Sequence, residues 1–535
     1  MKKNSFVFLL VATVLMALPA SYEPHHFAKA LLAGALLQSF AYSLVMLALT
    51  YKSVVLKRLF FTILYLLFCT ESFLFFRFGS RLDPNMLTLM LQTSARETRE
   101  FASVYLLSPS TLYILVIFIA CYTGIYLLLG KETPPIKWMK SWLVRIAMCI
   151  LAVLGFALPY LPLPFAMGQN TINELWMSAA FVKERHAEMD IMAEMIDKIE
   201  ISQSPADEEA PVMVFVIGES FNKQHSSLYG YTLRTSPFLE EERDRGNLIY
   251  YTHAMSPTNG TDFAMRFLFT LKGCEQTDTA DVHPFVLMPA VFKKANYHVA
   301  YFDNQYTRLS GGALDYSCGY FLNPNYINTH CFDFRNTEIQ KYDGDFVSLY
   351  RTSFFREPKS LNIIHLMGQH FDAAMRYPSA FGRFNQDDVK RDDLTRNQRQ
   401  QVAEYDNATL YNDYVLKMII DEFRDANSIV IYLSDHGEQI YDKPHCYLGR
   451  DFGSTDEEET RVAVYEVPFM AWCSDKFIQE HGDTYNALKV NAAQTICTAD
   501  VAYLLFDIAG IDFNYNIKSR SIIDSTFVPH TVQFE

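Results

Sequence analysis

Almost every long apolar run in this chain lies before Pro164, and most of its charged residues lie after it. A chain divided in this way cannot fold as one globular unit in one solvent. It implies a membrane part joined to a soluble part and excludes a purely cytosolic enzyme. The 535 residues also exceed what one hydrophobic core organises, about 250–300 residues. With 50% hydrophobic and 15% aromatic residues the chain is too apolar for disorder.

Five stretches have the length and apolarity of spans: Phe6–Ala20, Ala28–Thr50, Leu59–Phe78, Leu112–Gly130 and Trp142–Leu161. The first, preceded by Lys2 and Lys3 and ending in Ala17-Leu18-Pro19-Ala20, fits a cleaved signal peptide equally well. Basic residues set the orientation. Lys52, Lys57 and Arg58 lie between the second and third runs, and Lys131, Lys137 and Lys140 between the fourth and fifth. In the alternate segments Arg81, Arg96 and Arg99 are matched by Asp83, Glu97 and Glu100. Five spans with the N-terminus inside place everything after Leu161 outside the cytoplasm.

The net charge of −14 and the lack of a basic stripe argue against a nucleic-acid partner. Of nine cysteines, Cys69, Cys121 and Cys149 fall in apolar runs, and the remaining six form no CxxC pair. Zinc-ribbon spacing is therefore absent. Cys318 and Cys331, flanking a turn-rich segment, are a candidate disulfide, with two free thiols the equal alternative on spacing.

Asn173–Glu200 carries apolar residues at helical spacing, among them Trp176, Met177, Phe181, Met189, Met192, Met195 and Ile196, beside Lys183, Glu184, Arg185 and Glu188. It reads as a helix on the membrane interface or, equally, one packed on the soluble domain. Gly79–Ser110 is a similar candidate, and Ser202–Ala210 reads as a linker. These boundaries divide the chain into 1–162 (membrane), 163–210 (interfacial helix and linker) and 211–535 (catalytic).

Beyond Pro211, short aliphatic runs alternate with helix-like segments such as Thr409–Asp425 and Ala499–Ala509. The candidate strands are Val212–Ile217, Leu248–Thr252, His298–Phe302, Leu361–Leu366, Ser428–Leu433 and Val467–Trp472. Near-continuous apolar runs suit strands of a largely parallel sheet covered on both faces. In such sheets the chemistry gathers beyond the carboxyl ends of the strands. Glu219 follows the first of these strands, His370 closes Met367-Gly368-Gln369-His370 after another, and Asp435-His436-Gly437-Glu438 follows a third. Carboxylates and imidazoles converging there suit a divalent metal such as zinc, without a thiolate. Each motif is weak by itself, because a Glu after a strand is usually a turn residue and a lone His a packing residue. Thr261 opens a helix-like segment, Asp262–Leu271, where a hydroxyl beside exposed backbone N–H groups could complete a metal site and meet a phosphate. It also reads as a plain N-cap, and Asn259-Gly260-Thr261 as a glycosylation sequon.

Taken together and in order, Val-Ile-Gly-Glu219-Ser, Ser227-Leu-Tyr-Gly-Tyr231, Asn259-Gly-Thr261, His365-Leu-Met-Gly-Gln-His370 and Ser434-Asp-His-Gly-Glu438 are far more specific than any one of them. On these motifs the chain resembles the phosphoethanolamine transferases of the bacterial inner membrane, the lipid A-modifying and colistin-resistance enzymes of the alkaline phosphatase/sulfatase superfamily. The resemblance covers nearly the whole chain. It implies five transmembrane helices, the first uncleaved, followed by an α/β sulfatase-like soluble domain in the periplasm. It implies zinc ligands Glu219, Asp435 and His436, with Thr261 as fourth ligand and nucleophile. One zinc ion is implied, with a second left open. His370 and His445 correspond to histidines that assist at the substrate phosphate, although Gln369 replaces the usual Ser. Asn304, in Tyr301-Phe-Asp-Asn304, resembles a substrate-contacting Asn, and Arg308 is the nearest counterpart of a basic residue beyond it. Asn259 stands where many relatives have Cys, so a disulfide beside the nucleophile is not expected.

The activity implied is transfer of phosphoethanolamine from phosphatidylethanolamine, through a phosphothreonine-type intermediate, to lipid A or another envelope glycan, by a monomer. The alternatives are a phosphoglycerol transferase resembling lipoteichoic acid synthase and a non-catalytic binding protein. A sulfatase proper lacks support, because Cys446-Tyr-Leu-Gly-Arg450 has no Pro at the position its formylglycine motif needs. Acceptor choice is expected to lie in the charged, loop-like segments Ser379–Arg399 and Asp451–Arg461.

Overall fold

The computed structural model divides into two compact units, residues 1–186 and 187–535. It describes residues 53–78, 109–129 and short pieces between 98 and 150 of the first unit. In the second it describes residues 187–273, 284–307, 319–442, 448–449 and 458–529.

In the first unit, α1 (Val54–Phe78) and α2 (Pro109–Leu129) cover the third and fourth apolar runs. Tyr65 donates to the carbonyl of Phe118, and Phe61, Tyr65 and Tyr122 pack together. Elsewhere α2 is apolar around its circumference, with Tyr113, Val116, Ile119 and Leu127 exposed. Among the residues whose side chains are described, no helix presents an unbroken stretch long and apolar enough to cross a membrane. The first two runs lie outside the described residues, as do Lys2, Lys3, Lys131, Lys137 and Lys140.

The second unit is built on a seven-stranded sheet. In chain order the strands are β1 (Val212–Gly218), β2 (Leu248–Tyr251), β3 (His298–Asp303), β4 (Phe334–Arg335), β5 (Ser360–His365), β6 (Ser428–Ser434) and β7 (Phe469–Cys473). Across the sheet the order is β2-β7-β6-β1-β5-β3-β4, and only β7 runs against both neighbours. Each of the six predicted strands is present, with its ends moved by at most two residues.

The two-residue side-chain period of a strand explains why these runs are apolar throughout. In β1, Met213, Phe215 and Ile217 enter one core, while Val212, Val214 and Val216 enter the other. β6 splits likewise, Ile429, Ile431 and Leu433 against Val430 and Tyr432. The second core is closed by α3 (Pro237–Arg245), α5 (Asp343–Tyr350) and the long α6 (Arg396–Phe423). The first core receives α4 (Thr261–Phe269), α7 (Val501–Ile508) and the helix at 187–197.

That last helix decides one open reading. Met192, Met195 and Ile196 are buried in the catalytic core, so this part of Asn173–Glu200 packs on the soluble domain. Glu188, one of the charged residues beside those apolar positions, pairs with the guanidinium of Arg266 in α4. Trp176, Met177, Phe181, Lys183, Glu184 and Arg185 lie outside the described residues.

Three other expectations need correction. The Cys318–Cys331 disulfide does not form: Cys331 is a buried free thiol in the first core. Ser379–Arg399 is not loop throughout, because α6 starts at Arg396 behind a reciprocal Thr395/Gln398 capping box. Nor is Asp451–Arg461, whose last residues belong to the helix Glu458–Tyr465.

Candidate active site

Beyond the carboxyl ends of β1 and β6, Glu219, Asp435 and His436 meet in the interior, and one potential ligand atom from each lies within 4.8 Å of the others. His436 Nε2 stands 3.2 Å from Glu219 Oε1 and 3.2 Å from Asp435 Oδ2. Thr261 Oγ1 donates to Glu219 Oε2 at 3.0 Å and lies 3.2 Å from His436 Nε2. These four side chains, distant in the sequence, occupy one small volume.

Local structure explains the placement. β1 and β6 are paired in parallel with Gly218 opposite Ser434, so the residues leaving both strands emerge side by side. Gly437 permits the close return of the chain: a Cβ there would stand 2.2 Å from the Ala463 carbonyl oxygen. Gly368, with φ +51, plays the same part after β5, where a Cβ would meet the Glu219 backbone at 2.8 Å. Thr261 is the first residue of α4, and Gly260 is its N-cap with no side-chain cap bond. The hydroxyl is therefore not a cap. It is turned toward the carboxylate and the imidazole at the positive end of the helix.

The donor set suits a cation. His436 Nδ1 is 2.8 Å from the Gly437 carbonyl, which can only accept, so the proton resides on Nδ1. A neutral imidazole would then direct the Nε2 lone pair at two carboxylate oxygens and the threonine oxygen. Asp435 Oδ2 is buried and accepts no hydrogen bond. Burial first, and then the neighbouring Glu219, push the Asp435 carboxyl up to about 7. Acceptors crowded together away from water favour a positive charge between them, and a divalent ion held by two carboxylates and an imidazole would supply it.

The other expected residues are distributed differently. His370 is half-buried on the loop after β5. That loop is anchored by Asp343, which accepts from the N–H groups of Met367 and Gly368, both at 2.9 Å, and by Gln369 N–H to the Glu219 carbonyl at 3.0 Å. His445 and Arg308 lie outside the described residues. Asn304 is fully buried: its amide donates to Asp343 Oδ1 at 2.8 Å, and its oxygen accepts from Gln340 N–H at 2.7 Å. In this arrangement it braces the Asp343 loop.

Its neighbour Gln305, missed in the sequence, reaches the cluster. Gln305 Nε2 is 3.0 Å from Glu219 Oε2, 3.0 Å from His365 Nε2 and 2.9 Å from the Leu366 carbonyl. His365 in turn stands 3.1 Å from Asp303 Oδ1 through Nδ1. Burial would raise the Asp303 carboxyl, but the imidazole and the Gln305 and Tyr306 N–H groups outweigh it and hold it below the usual range. Gln305 too lies just beyond a strand of the sheet, but no motif around it singles it out.

This fold and site define a class. Residues 211–511 match the sulfatase family model, more than half of the chain, and the chain belongs to that family. Over 488 residues it is 25% identical to the phosphoethanolamine transferase EptC of Escherichia coli (strain K12), covering 84% of this chain and 79% of that protein. Over 279 residues it is 27% identical to the Kdo(2)-lipid A phosphoethanolamine 7''-transferase of the same organism, covering 52% of this chain and 47% of that protein. The periplasmic domain of Escherichia coli EptC, solved in complex with Zn, aligns with a TM-score of 0.51 at 26% identity, over 62% of this chain and 90% of that one. The integral membrane lipooligosaccharide phosphoethanolamine transferase A of Neisseria meningitidis shares the fold over 97% of this chain and 98% of that chain, with a TM-score of 0.64 at 17% identity. The architecture is thus a membrane part followed by a sulfatase-like domain.

Proposed function

We propose that the chain is a metal-dependent phosphoethanolamine transferase of the bacterial inner membrane, taking its donor group from phosphatidylethanolamine and passing it to lipid A or a related envelope glycolipid. The observation that carries this reading is the Thr261 hydroxyl, at the start of α4, within 3.0 Å of Glu219 and 3.2 Å of His436. The names of the relatives support the transferred group and the lipid A acceptor. The zinc complex of the related EptC domain supports zinc, with Glu219, Asp435 and His436 as its protein ligands. When bound, the ion would supply Lewis acidity at the phosphate and lower the pKa of the hydroxyl beside it.

In the first step Thr261 Oγ1 forms a bond to phosphorus, and the bond from phosphorus to the diacylglycerol oxygen breaks. Diacylglycerol departs with a proton, leaving phosphoethanolamine on Thr261. In the second step an acceptor oxygen attacks the same phosphorus, gives up its proton, and the threonine hydroxyl is restored. Dividing the exchange in two replaces one difficult encounter of two lipids with two simpler ones. His370 and His445 are the proposed proton carriers and phosphate contacts, because imidazole titrates near working pH. The scheme places five spans and the N-terminus so that residues 211–535 face the periplasm, and it requires only one copy of the chain.

The test is mass spectrometry of the Thr261 peptide after incubating the protein with vesicles of phosphatidylethanolamine or of phosphatidylglycerol. A phosphoethanolamine adduct formed only from the first, and absent in Thr261→Ala, is expected, with phosphoethanolamine-bearing lipid A appearing when lipid A is added. A glycerophosphate adduct from the second would replace this reading with phosphoglycerol transfer, and no adduct from either would end it.

A further inference from the structure

Between Glu219 and the rest of the β1 exit lies a residue whose backbone is out of the ordinary. Ser220 has φ +56, the left-handed region that non-glycine residues occupy at a cost of about 1–2 kcal/mol. A glycine would adopt this turn without that cost. The serine hydroxyl has a use there: fully buried, it donates to Glu219 Oε1 at 2.7 Å, while the Ser220 N–H donates to Asp435 Oδ1 at 3.1 Å. One residue thus holds an oxygen of each carboxylate in the cluster.

The turn is clamped from several sides. The Tyr405 hydroxyl, from the middle of α6, donates to the Ser220 carbonyl at 2.5 Å and accepts from the Asn222 N–H at 2.7 Å. Phe221 N–H reaches the Ser434 hydroxyl and the His436 carbonyl, each at 3.0 Å. For Asp435 the consequence is directional: Oδ1 accepts from Ser220 N–H and from His436 N–H at 2.7 Å, and this leaves Oδ2 facing the imidazole. For Glu219, Ser220 fixes Oε1 while Thr261 and Gln305 hold Oε2, so the plane of the carboxylate is set from both ends.

We propose that Ser220 is a positioning residue for the metal centre, orienting Glu219 through its hydroxyl and Asp435 through its N–H before any ion arrives. The inference rests on the metal-dependent reading above and assigns this serine a role within it. Partners of metal ligands typically contribute 10–100-fold in metal affinity.

The experiment is a zinc titration of the full-length protein in detergent against a competing chelator, with thermal melts of the metal-free forms in parallel. Ser220→Ala removes the hydroxyl and keeps the left-handed strain; Ser220→Gly removes the hydroxyl and relieves the strain. Both are expected to weaken zinc binding about 10–100-fold, although the metal-free Ser220→Gly protein melts higher than Ser220→Ala. Tyr405→Phe, which leaves the hydroxyl of Ser220 in place but loosens its turn, is expected to lose less affinity than either. Wild-type affinity in Ser220→Gly would overturn the inference, because the loss in Ser220→Ala would then be one of folding. Wild-type affinity in both variants would overturn it alone, whereas no zinc binding by the unaltered protein would remove the metal reading as well.

Discussion

Glu219 and Thr261 are 42 positions apart, and Thr261 and His436 are 175 apart, yet their polar atoms lie within hydrogen-bonding distance. The sheet delivers Glu219 and His436 to one edge, and the start of α4 brings Thr261 to the same place. That edge also delivers Gln305, whose amide bonds one oxygen of Glu219. Gln305→Leu keeps the volume and removes the amide, and it is expected to lower the rate of phosphoethanolamine transfer about tenfold or more. The check is the rate of adduct formation at saturating phosphatidylethanolamine. Single residues were legible in the sequence where a motif surrounded them. Asp435, His436 and Gly437 form a tetrapeptide with Glu438, and Thr261 sits in a recognisable run. Gln305 was not, because a glutamine after an aspartate and an asparagine has no distinguishing pattern until the sheet aligns β3 with β5. Asn304, which the family resemblance marks as a substrate contact, makes two hydrogen bonds that only the folded chain reveals, to Asp343 and from Gln340.

At the scale of elements, α6 acts as a polar spine as well as a core helix. Asp406, next to Tyr405 on this helix, holds His225 Nδ1 at 2.7 Å and accepts from the Tyr231 hydroxyl at 2.9 Å. On the other side, His225 Nε2 lies 3.5 Å from Asp442, on the loop that continues from Asp435 and His436. Burial alone would depress this imidazole, but Asp406 and Asp442 outweigh it and push its pKa up to about 10. In the unfolded chain histidine titrates near 6.5. The pair therefore contributes its full stabilisation below about pH 6.5 and loses it progressively as pH rises toward about 10, on the order of a few kcal/mol. Thermal midpoints measured from pH 6 to pH 10 should fall more steeply for the wild-type protein than for His225→Gln, which starts lower and has no such charge to lose. Equal slopes would mean that His225 is neutral in the folded protein. The elements themselves were mostly readable, because apolar runs bounded by turns specify strands buried on both faces. The start of α6 was missed although Thr395 and Gln398 spell a capping box. The charged residues around them looked like loop because one helix face there is solvated. The buried polar residues of α6, Asp406, Asn407, Thr409, Asn412 and Asp413, carry no helical signature of their own.

For the whole molecule, the uneven placement of apolar residues along the chain points to a membrane part and a soluble part, and the compact units of the structure divide between residues 186 and 187. The helix at 187–197 belongs by its contacts to the catalytic unit, which carries its own two cores on the two faces of one sheet. Residues 187–535 expressed alone are therefore expected to fold and to bind zinc within a few-fold of the full chain. Transfer from phosphatidylethanolamine in vesicles should fall by two orders of magnitude or more, because the membrane part raises the effective concentration of the lipid at the site. Zinc competition and vesicle assays on the same preparation check both halves of that expectation. Equal vesicle activity would show that anchoring contributes nothing. The expectation of five spans rests on apolar length and basic loops alone, and the first two of those runs lie outside the described residues.

The ion pair between Glu188 and Arg266 has a mechanical side. The polypeptide enters the second unit at Ala187, and the next residue already grips the helix that begins with Thr261. The first turn of the second unit is thereby tied to the helix that carries Thr261, through one carboxylate and one guanidinium.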